Sequence, residues 1–337
     1  MNLFELTRAL IDIESITGHE EPVGEYLFEY LSRLAAAHGG TVERLEVEPH
    51  RFNILATWGT PHVTLSTHID TVPPFFPSRE DSTTIWGRGA CDTKGIIASM
   101  IFALSDLLDE GVRNIGLLLV VGEERNSAGA YAAAHYHRGS RYIINGEPTG
   151  NKLALGSKGA LRCVLAATGR MAHSAYPELG ESAIEKLLDA LEAVRRMPLP
   201  ADEILGPSTL NIGTIHGGRA PNVIPDHAEA EIFIRLIDDG ESTRQALKEV
   251  VRGLVEVQEV LVIPAIHMAS LPGYETMVVS YTTDIPAFAG TWGQPLLLGP
   301  GSIHVAHTDR EHVPKQDLLD AVRIYKKLVK DLLNATN

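Results

Sequence analysis

The chain reads as an α/β protein in which a three-layer domain is interrupted by a ferredoxin-like α+β insertion. Three observations carry this reading: the length, the alternation of short apolar runs with amphipathic helical stretches in the first half, and a change to β-α-β-β-α-β order after Gly156. At 337 residues the chain exceeds the size at which one hydrophobic core usually keeps growing, so two domains are expected. The division expected is 1–157 and 269–337 for the interrupted domain and 158–268 for the insertion.

Taken in order, residues 1–13 mix Glu5, Arg8 and Asp12 into an amphipathic pattern with no long apolar stretch or small-residue cleavage site, so no secretory signal is expected. Across 21–37, Val23, Tyr26, Leu27, Tyr30, Leu31 and Leu34 recur at spacings of three and four, as one face of a helix that Gly39-Gly40 closes. Strands are expected at 41–47 and 53–57. The apolar runs 63–66, 115–121 and 142–144, bounded by glycine or polar residues, read as buried parallel strands, with helices at 94–108 and 127–137. The insertion is expected to contain a strand at 160–168, a helix at 181–196, strands at 209–216 and 228–236, a helix at 242–257 and a strand at 260–266. The chain then returns through Pro272-Gly273 to a helix at 278–288, a strand at 296–298 and a last helix at 314–333.

Composition narrows the class. Hydrophobic content of 44% and charged content of 21% are those of an ordinary globular protein, and a net charge of -14 argues against nucleic acid or an anionic membrane as the main partner. Cys91 and Cys163 are too few for a disulfide framework and fit a reducing compartment. With no run of about 18 apolar residues, the cytoplasm is the expected location.

The chemistry lies in residues that follow the apolar runs: His68-Ile-Asp70, Asp92, Glu123-Glu124, Glu147 and, late in the chain, His307. Each has a bland reading alone: a polar pair, a helix cap, solvated acids at a helix start, a turn acid, an isolated histidine. Together they suggest more. An Asp near a His can fix the tautomer of a metal-bound imidazole. Gly87-Arg-Gly-Ala-Cys-Asp92 begins like a dinucleotide loop, but an acid in the third position repels pyrophosphate, so the nucleotide is rejected; the carboxylate could instead bridge two cations. Two acids at a buried strand end need a cation, and one of the pair could stay free to take a proton from water. Of His304 and His307, one could be a ligand and the other a neighbour. Two imidazoles, three carboxylates and a free Glu suit two divalent ions, zinc first, with cobalt or manganese as alternatives, and the implied chemistry is hydrolysis. No G-x-S-x-G elbow supports serine catalysis.

The strings Ser66-Thr-His-Ile-Asp-Thr-Val-Pro73, Gly87-Arg-Gly-Ala-Cys-Asp-Thr-Lys-Gly95, Gly122-Glu-Glu124, Gly146-Glu-Pro-Thr149 and Ala306-His307 resemble the dinuclear zinc amidohydrolase family of acetylornithine deacetylase, succinyl-diaminopimelate desuccinylase and glutamate carboxypeptidase. The resemblance covers nearly the whole chain. It implies a zinc-peptidase-like catalytic domain with an inserted lid that pairs two subunits into a homodimer. It also implies that His68 and Glu147 hold one zinc, Glu124 and His307 the other, and Asp92 bridges them. Asp70 would orient His68, Glu123 would be the general base, and the peptide after Asp92 would be cis.

In the inserted domain, Gly169-Arg-Met-Ala-His-Ser174 resembles the segment whose His steadies the oxyanion in the partner's active site, which gives that role to His173. Asn222 and Arg235 match positions that grip the substrate carboxylate, for which a guanidinium suits bidentate binding. The chain is shorter than is usual in the family, and His307-Thr-Asp-Arg-Glu311 departs from the commoner His-x-x-Asp-Glu. The approach Gly299-Pro-Gly-Ser302 resembles the acetylornithine deacetylase branch, so an N-acylated amino acid is the preferred substrate. A dipeptidase or aminoacylase and a non-catalytic metal-containing binding protein are the alternatives.

Overall fold

The computed structural model describes residues 1–136, 138–288 and 290–335. The chain divides into two compact units, one comprising 1–154, 268–277 and 283–337, the other 155–267 and 278–282.

The first unit contains α1 (Leu3–Ile11), α2 (Glu21–His38), β1 (Thr41–Glu48), β2 (Arg51–Trp58), β3 (Val63–His68), α3 (Gly95–Asp109), β4 (Ile115–Val120), α4 (Ala128–Ala133) and β5 (Tyr142–Asn145). Local chemistry sets the helix ends: Asn2 and Glu5 exchange side-chain and backbone hydrogen bonds at the start of α1. Gly39 closes α2 in the left-handed region, at φ 69°. After the inserted unit the chain adds, later in sequence, the strand Gln294–Leu297 and the helix Lys315–Asn334.

These strands form one sheet in the order β1-β2-β4-β3-β5, followed by Gln294–Leu297 at the edge. The inner pairs β3/β4, β3/β5 and β5/294–297 are parallel, whereas β1/β2 and β2/β4 are antiparallel. The strand β4 shows why the unit has three layers. Leu117 and Leu119 enter the core shared with α1, α2, α3 and the last helix, while Leu118 and Val120 enter a second core with Ala130, Ala133, Phe288 and Trp292. Successive residues of a strand face opposite sides, so an unbroken apolar run is buried on both.

The second unit contains β6 (Gly159–Thr168), α5 (Ala183–Arg196), β7 (Thr209–Gly217), β8 (His227–Leu236), α6 (Glu241–Val250) and β9 (Glu256–Ile263). All pairs are antiparallel and the sheet order is β7-β8-β6-β9, the ferredoxin-like arrangement expected. Leu161, Cys163, Leu165, Ile232 and Ile234 bury one face under Leu187, Leu191, Val194 and Leu247 of the two helices. On the other face Arg162, Glu231, Phe233 and Arg235 line a cavity of about 470 Å³.

Three elements differ from the sequence expectation. The helix expected over 242–257 stops at Val250, and β9 begins at Glu256 because residues 256–263 find a pairing partner in β6. The helix expected over 278–288 is replaced by a strand at Thr276–Val279 and a short 3-10 turn at Ile285–Phe288, where Pro286 has no amide to donate. Of the helix expected over 127–137, only Ala128–Ala133 is helical, and His137 lies outside the described residues. Among the described residues no helix is long and apolar enough to cross a membrane.

Candidate metal centre

The parallel arrangement of β3, β4 and β5 brings the residues after their C-terminal ends to one edge of the sheet, where α/β folds commonly place their sites. His68 is the last residue of β3, Glu123 and Glu124 follow β4 through Gly122, and Glu147 follows β5 through Gly146. Asp92 and His307 come from irregular segments of the same unit, His307 with a left-handed backbone at φ 63°.

His68, Asp92 and Glu124 each present a potential ligand atom, and these atoms lie within 4.8 Å of one another. The Asp92 carboxylate stands between two imidazoles, with Oδ1 3.1 Å from His68 Nε2 and Oδ2 3.3 Å from His307 Nε2. Glu124 Oε1 is 3.0 Å from the same His307 nitrogen. The Asp92–Thr93 peptide is cis. Glu147 is buried and its Oε1 has no hydrogen-bond partner among the described residues, although Glu147 is outside the trio of closest ligand atoms. Glu123, next to Glu124, has no side-chain hydrogen bond or ion pair among the described residues. His304, the other imidazole considered, is exposed.

Asp70 does more than face His68. The imidazole Nδ1 is 3.0 Å from the main-chain carbonyl of Asp70 and 3.4 Å from its Oδ1. The Asp70 carboxylate accepts hydrogen bonds from the amides of Gly122 at 3.0 Å, Glu123 at 3.1 Å and Glu124 at 3.2 Å, and from the Thr17 hydroxyl at 2.8 Å. One buried carboxylate therefore holds the loop that carries both glutamates. Asn53 holds the same loop from its other side, accepting from Val121 N at 3.1 Å and donating to Gly129 O at 2.8 Å.

The electrostatics mark the cluster as one that a cation would stabilise. Burial, together with the Asp284, Glu124 and Asp92 carboxylates, pushes the Glu123 carboxyl well above the usual range against the pull of His68. Burial raises Glu147, with Glu123 and Asp92 adding to it. It also raises Glu124, with His307 opposing. Burial works against ionised Asp92, yet His307 and His68 outweigh it and hold Asp92 low. Hydrogen bonds to Asp92 and Glu124 raise His307 to about 10. Crowded oxygen and imidazole ligands, including an unpaired buried carboxylate oxygen, fit borderline divalent cations. His68, Asp92, Glu124, Glu147 and His307 are the residues that could hold them.

Two buried groups escaped the sequence reading. Asp284, 1% exposed, makes no hydrogen bond of ordinary geometry through its carboxylate oxygens among the described residues, and burial lifts it to about 7 against the opposing pull of the Ser127 side chain. Nothing in Thr282-Thr-Asp-Ile-Pro286 marks it. Glu311 forms a buried ion pair with Arg88 at 2.6 Å. The signal there was the Glu four residues after His307, which the string keeps while departing from the commoner His-x-x-Asp-Glu at Arg310.

The other three expected site residues lie in the second unit. A two-residue bridge pairs His173 with Val223, and Ser174 N donates to Asn222 O at 3.0 Å, so His173 and Asn222 are neighbours. His173 Nδ1 accepts the Ala175 amide at 3.1 Å, so the neutral ring carries its proton on Nε2. Arg235 is half-buried and lies over the Phe233 ring at 4.7 Å. Among the described residues no carboxylate pairs with its guanidinium, and burial alone lowers its pKa.

Residues 155–259 match a family described as the peptidase dimerisation domain. The chain is 39% identical over 342 residues to a peptidase M20 domain-containing protein of Schizosaccharomyces pombe, spanning 97% of this chain and 84% of that one. It is 37% identical over 372 residues to a probable carboxypeptidase of Aspergillus niger, spanning 96% and 88%. Among solved structures, aminopeptidase PepT of Bacillus cereus superposes with a TM-score of 0.83 at 21% identity, over 98% of both chains. At that identity the likeness speaks for the fold.

Proposed function

The chain belongs to the M20 peptidase family, and from that premise we propose that it is a two-metal hydrolase cleaving the amide bond of an N-acylated amino acid. The observation that carries this reading is Asp92 set between two imidazoles, with Glu123 beside them and uncommitted. We assign His68 and Glu147 to one divalent ion, zinc by preference, Glu124 and His307 to the other, and Asp92 to both. Bound ions of this kind lower the pKa of water and polarise a carbonyl oxygen.

The chain's own residues supply the rest of the proposed reaction. Glu123 takes a proton from the attacking water as the new C–O bond forms, then returns it to the amine nitrogen as the C–N bond breaks. Asp70, through the amides of 122–124, keeps Glu123 and Glu124 in place. His173 donates its Nε2 proton as a hydrogen bond to the developing oxyanion, acting across a homodimer formed by the inserted unit. Light scattering checks the dimer, and a monomer with full activity would remove this role from His173. Asn222 and Arg235 bind the substrate carboxylate. We place the protein in the cytoplasm.

A dipeptide is the second reading, favoured because relatives carry carboxypeptidase names. Rates on a panel of N-acyl amino acids and dipeptides, with zinc-reconstituted and chelator-treated protein, separate the two. Metal-loaded protein inert across the whole panel would leave a binding protein and end the hydrolase reading.

A further inference from the structure

We propose that Glu311, gripped by Arg88, is a positioning residue that fixes Asp92 for its two imidazoles, an inference that rests on the metal-centre reading above. Glu311 is 0% exposed and Arg88 2%. Oε2 of Glu311 accepts from Arg88 Nη1 at 2.6 Å. Its Oε1 accepts from two successive main-chain amides, Cys91 N at 3.3 Å and Asp92 N at 3.2 Å, and the Cys91 thiol lies 3.7 Å away. The Gly87 amide donates to the main-chain carbonyl of Glu311 at 3.2 Å, and Arg88 Nε donates to Pro74 O at 3.2 Å. Both carboxylate oxygens of Glu311 are therefore committed to protein donors, and the residue is not itself a ligand.

The arrangement has a physical purpose. Asp92 leaves helical geometry, at φ -125° and ψ 81°, so its amide and that of Cys91 need an acceptor outside regular structure. A buried amide without a partner is costly, and an ionised acceptor makes the stronger bond. Glu311 supplies that acceptor from a position four residues beyond His307. One carboxylate thus ties the segment that carries Asp92 to the segment that carries His307, the two residues whose side chains meet at 3.3 Å. Arg88 compensates the charge, since breaking one partner of a buried pair leaves the other uncompensated.

Glu311→Gln keeps the shape but cannot satisfy both sides: if its carbonyl oxygen faces the amides, its NH2 group meets the Arg88 donor. The test is calorimetric titration of zinc ion into full-length metal-free protein, alongside the melting temperature of the metal-free form. Supporting residues of this sort typically contribute about 10–100-fold in metal affinity. Glu311→Gln should weaken zinc binding by about that factor at a temperature where the metal-free variant is still folded, its metal-free melting temperature lowered by the uncompensated Arg88 charge, and excess zinc should restore turnover. Wild-type zinc affinity in the folded variant overturns the proposal. If Glu311→Gln does not fold, Arg88→Lys decides: it keeps the charge but loses the planar fork, and unchanged zinc affinity in it is equally fatal. A wild-type protein that takes up one ion rather than two defeats the two-ion reading alone, and the positioning role is then judged on that single affinity.

Discussion

At the scale of single residues the centre is organised by proton positions. Asp92 lies against imidazoles on both sides, and without a cation those rings hold protons that the carboxylates attract. His307 therefore stays protonated up to about 10 rather than its ordinary 6.5. A bound cation needs the neutral ring, so metal uptake should release protons and strengthen as pH rises through this range. Zinc titrations in buffers of different ionisation enthalpy check this, and uptake without proton release would contradict it. The metal-free fold should show the reverse trend. The folded pKa of His307 lies above its unfolded value, so its contribution to stability is complete below about 6.5 and disappears as pH climbs to about 10. Glu123 is the other decisive residue. Glu123→Gln should lower kcat by about 10²–10⁴-fold, the usual size of a general base's contribution, with metal stoichiometry unchanged. Near wild-type kcat in that variant would remove the base assignment.

At the scale of elements, the strands deliver ligands and the loops need clamps. The loop after β4 is held by Asp70 on one side and by Asn53 on the other, the latter a fully buried residue in the middle of β2. Asn53→Ala would orphan Val121 N and remove one of the donors to Gly129 O. Each buried group left unsatisfied costs about 1–3 kcal/mol, so denaturant unfolding should report a loss in that range or above, with activity falling as Glu123 and Glu124 drift. Unchanged unfolding would mean that the loop is held elsewhere. Element periodicity was legible where one sequence pattern sufficed. The apolar runs at β3, β4 and β5 announced themselves because both faces of those strands are buried. Residues 251–257 and 278–288 misled because short apolar stretches suit helix or strand, and the choice fell to pairing partners distant in sequence.

At the scale of the whole molecule, the proposed ligands lie far apart in sequence and must meet, so on this reading metal binding and folding are coupled. Ions that bind only the folded chain stabilise it by about 2.7 kcal/mol each at a hundred times their Kd. Chelation should therefore lower the melting temperature and abolish turnover, and zinc should restore both. Turnover that survives exhaustive chelation would rule out metal-assisted hydrolysis.

The chain's own order of residues determined the α/β class, the inserted β-α-β-β-α-β unit and the set of candidate metal ligands. These properties follow from local periodicity and from ligand types that stand out against apolar surroundings. The tertiary structure alone decided which atoms touch: Asp92 between His68 and His307, Asp70 on three loop amides, and Glu311 on the Asp92 amide. Asp92 and Glu311, in one such contact, lie 219 positions apart. No periodicity encodes a meeting at that separation; only the packing of the sheet edge against the returning chain does.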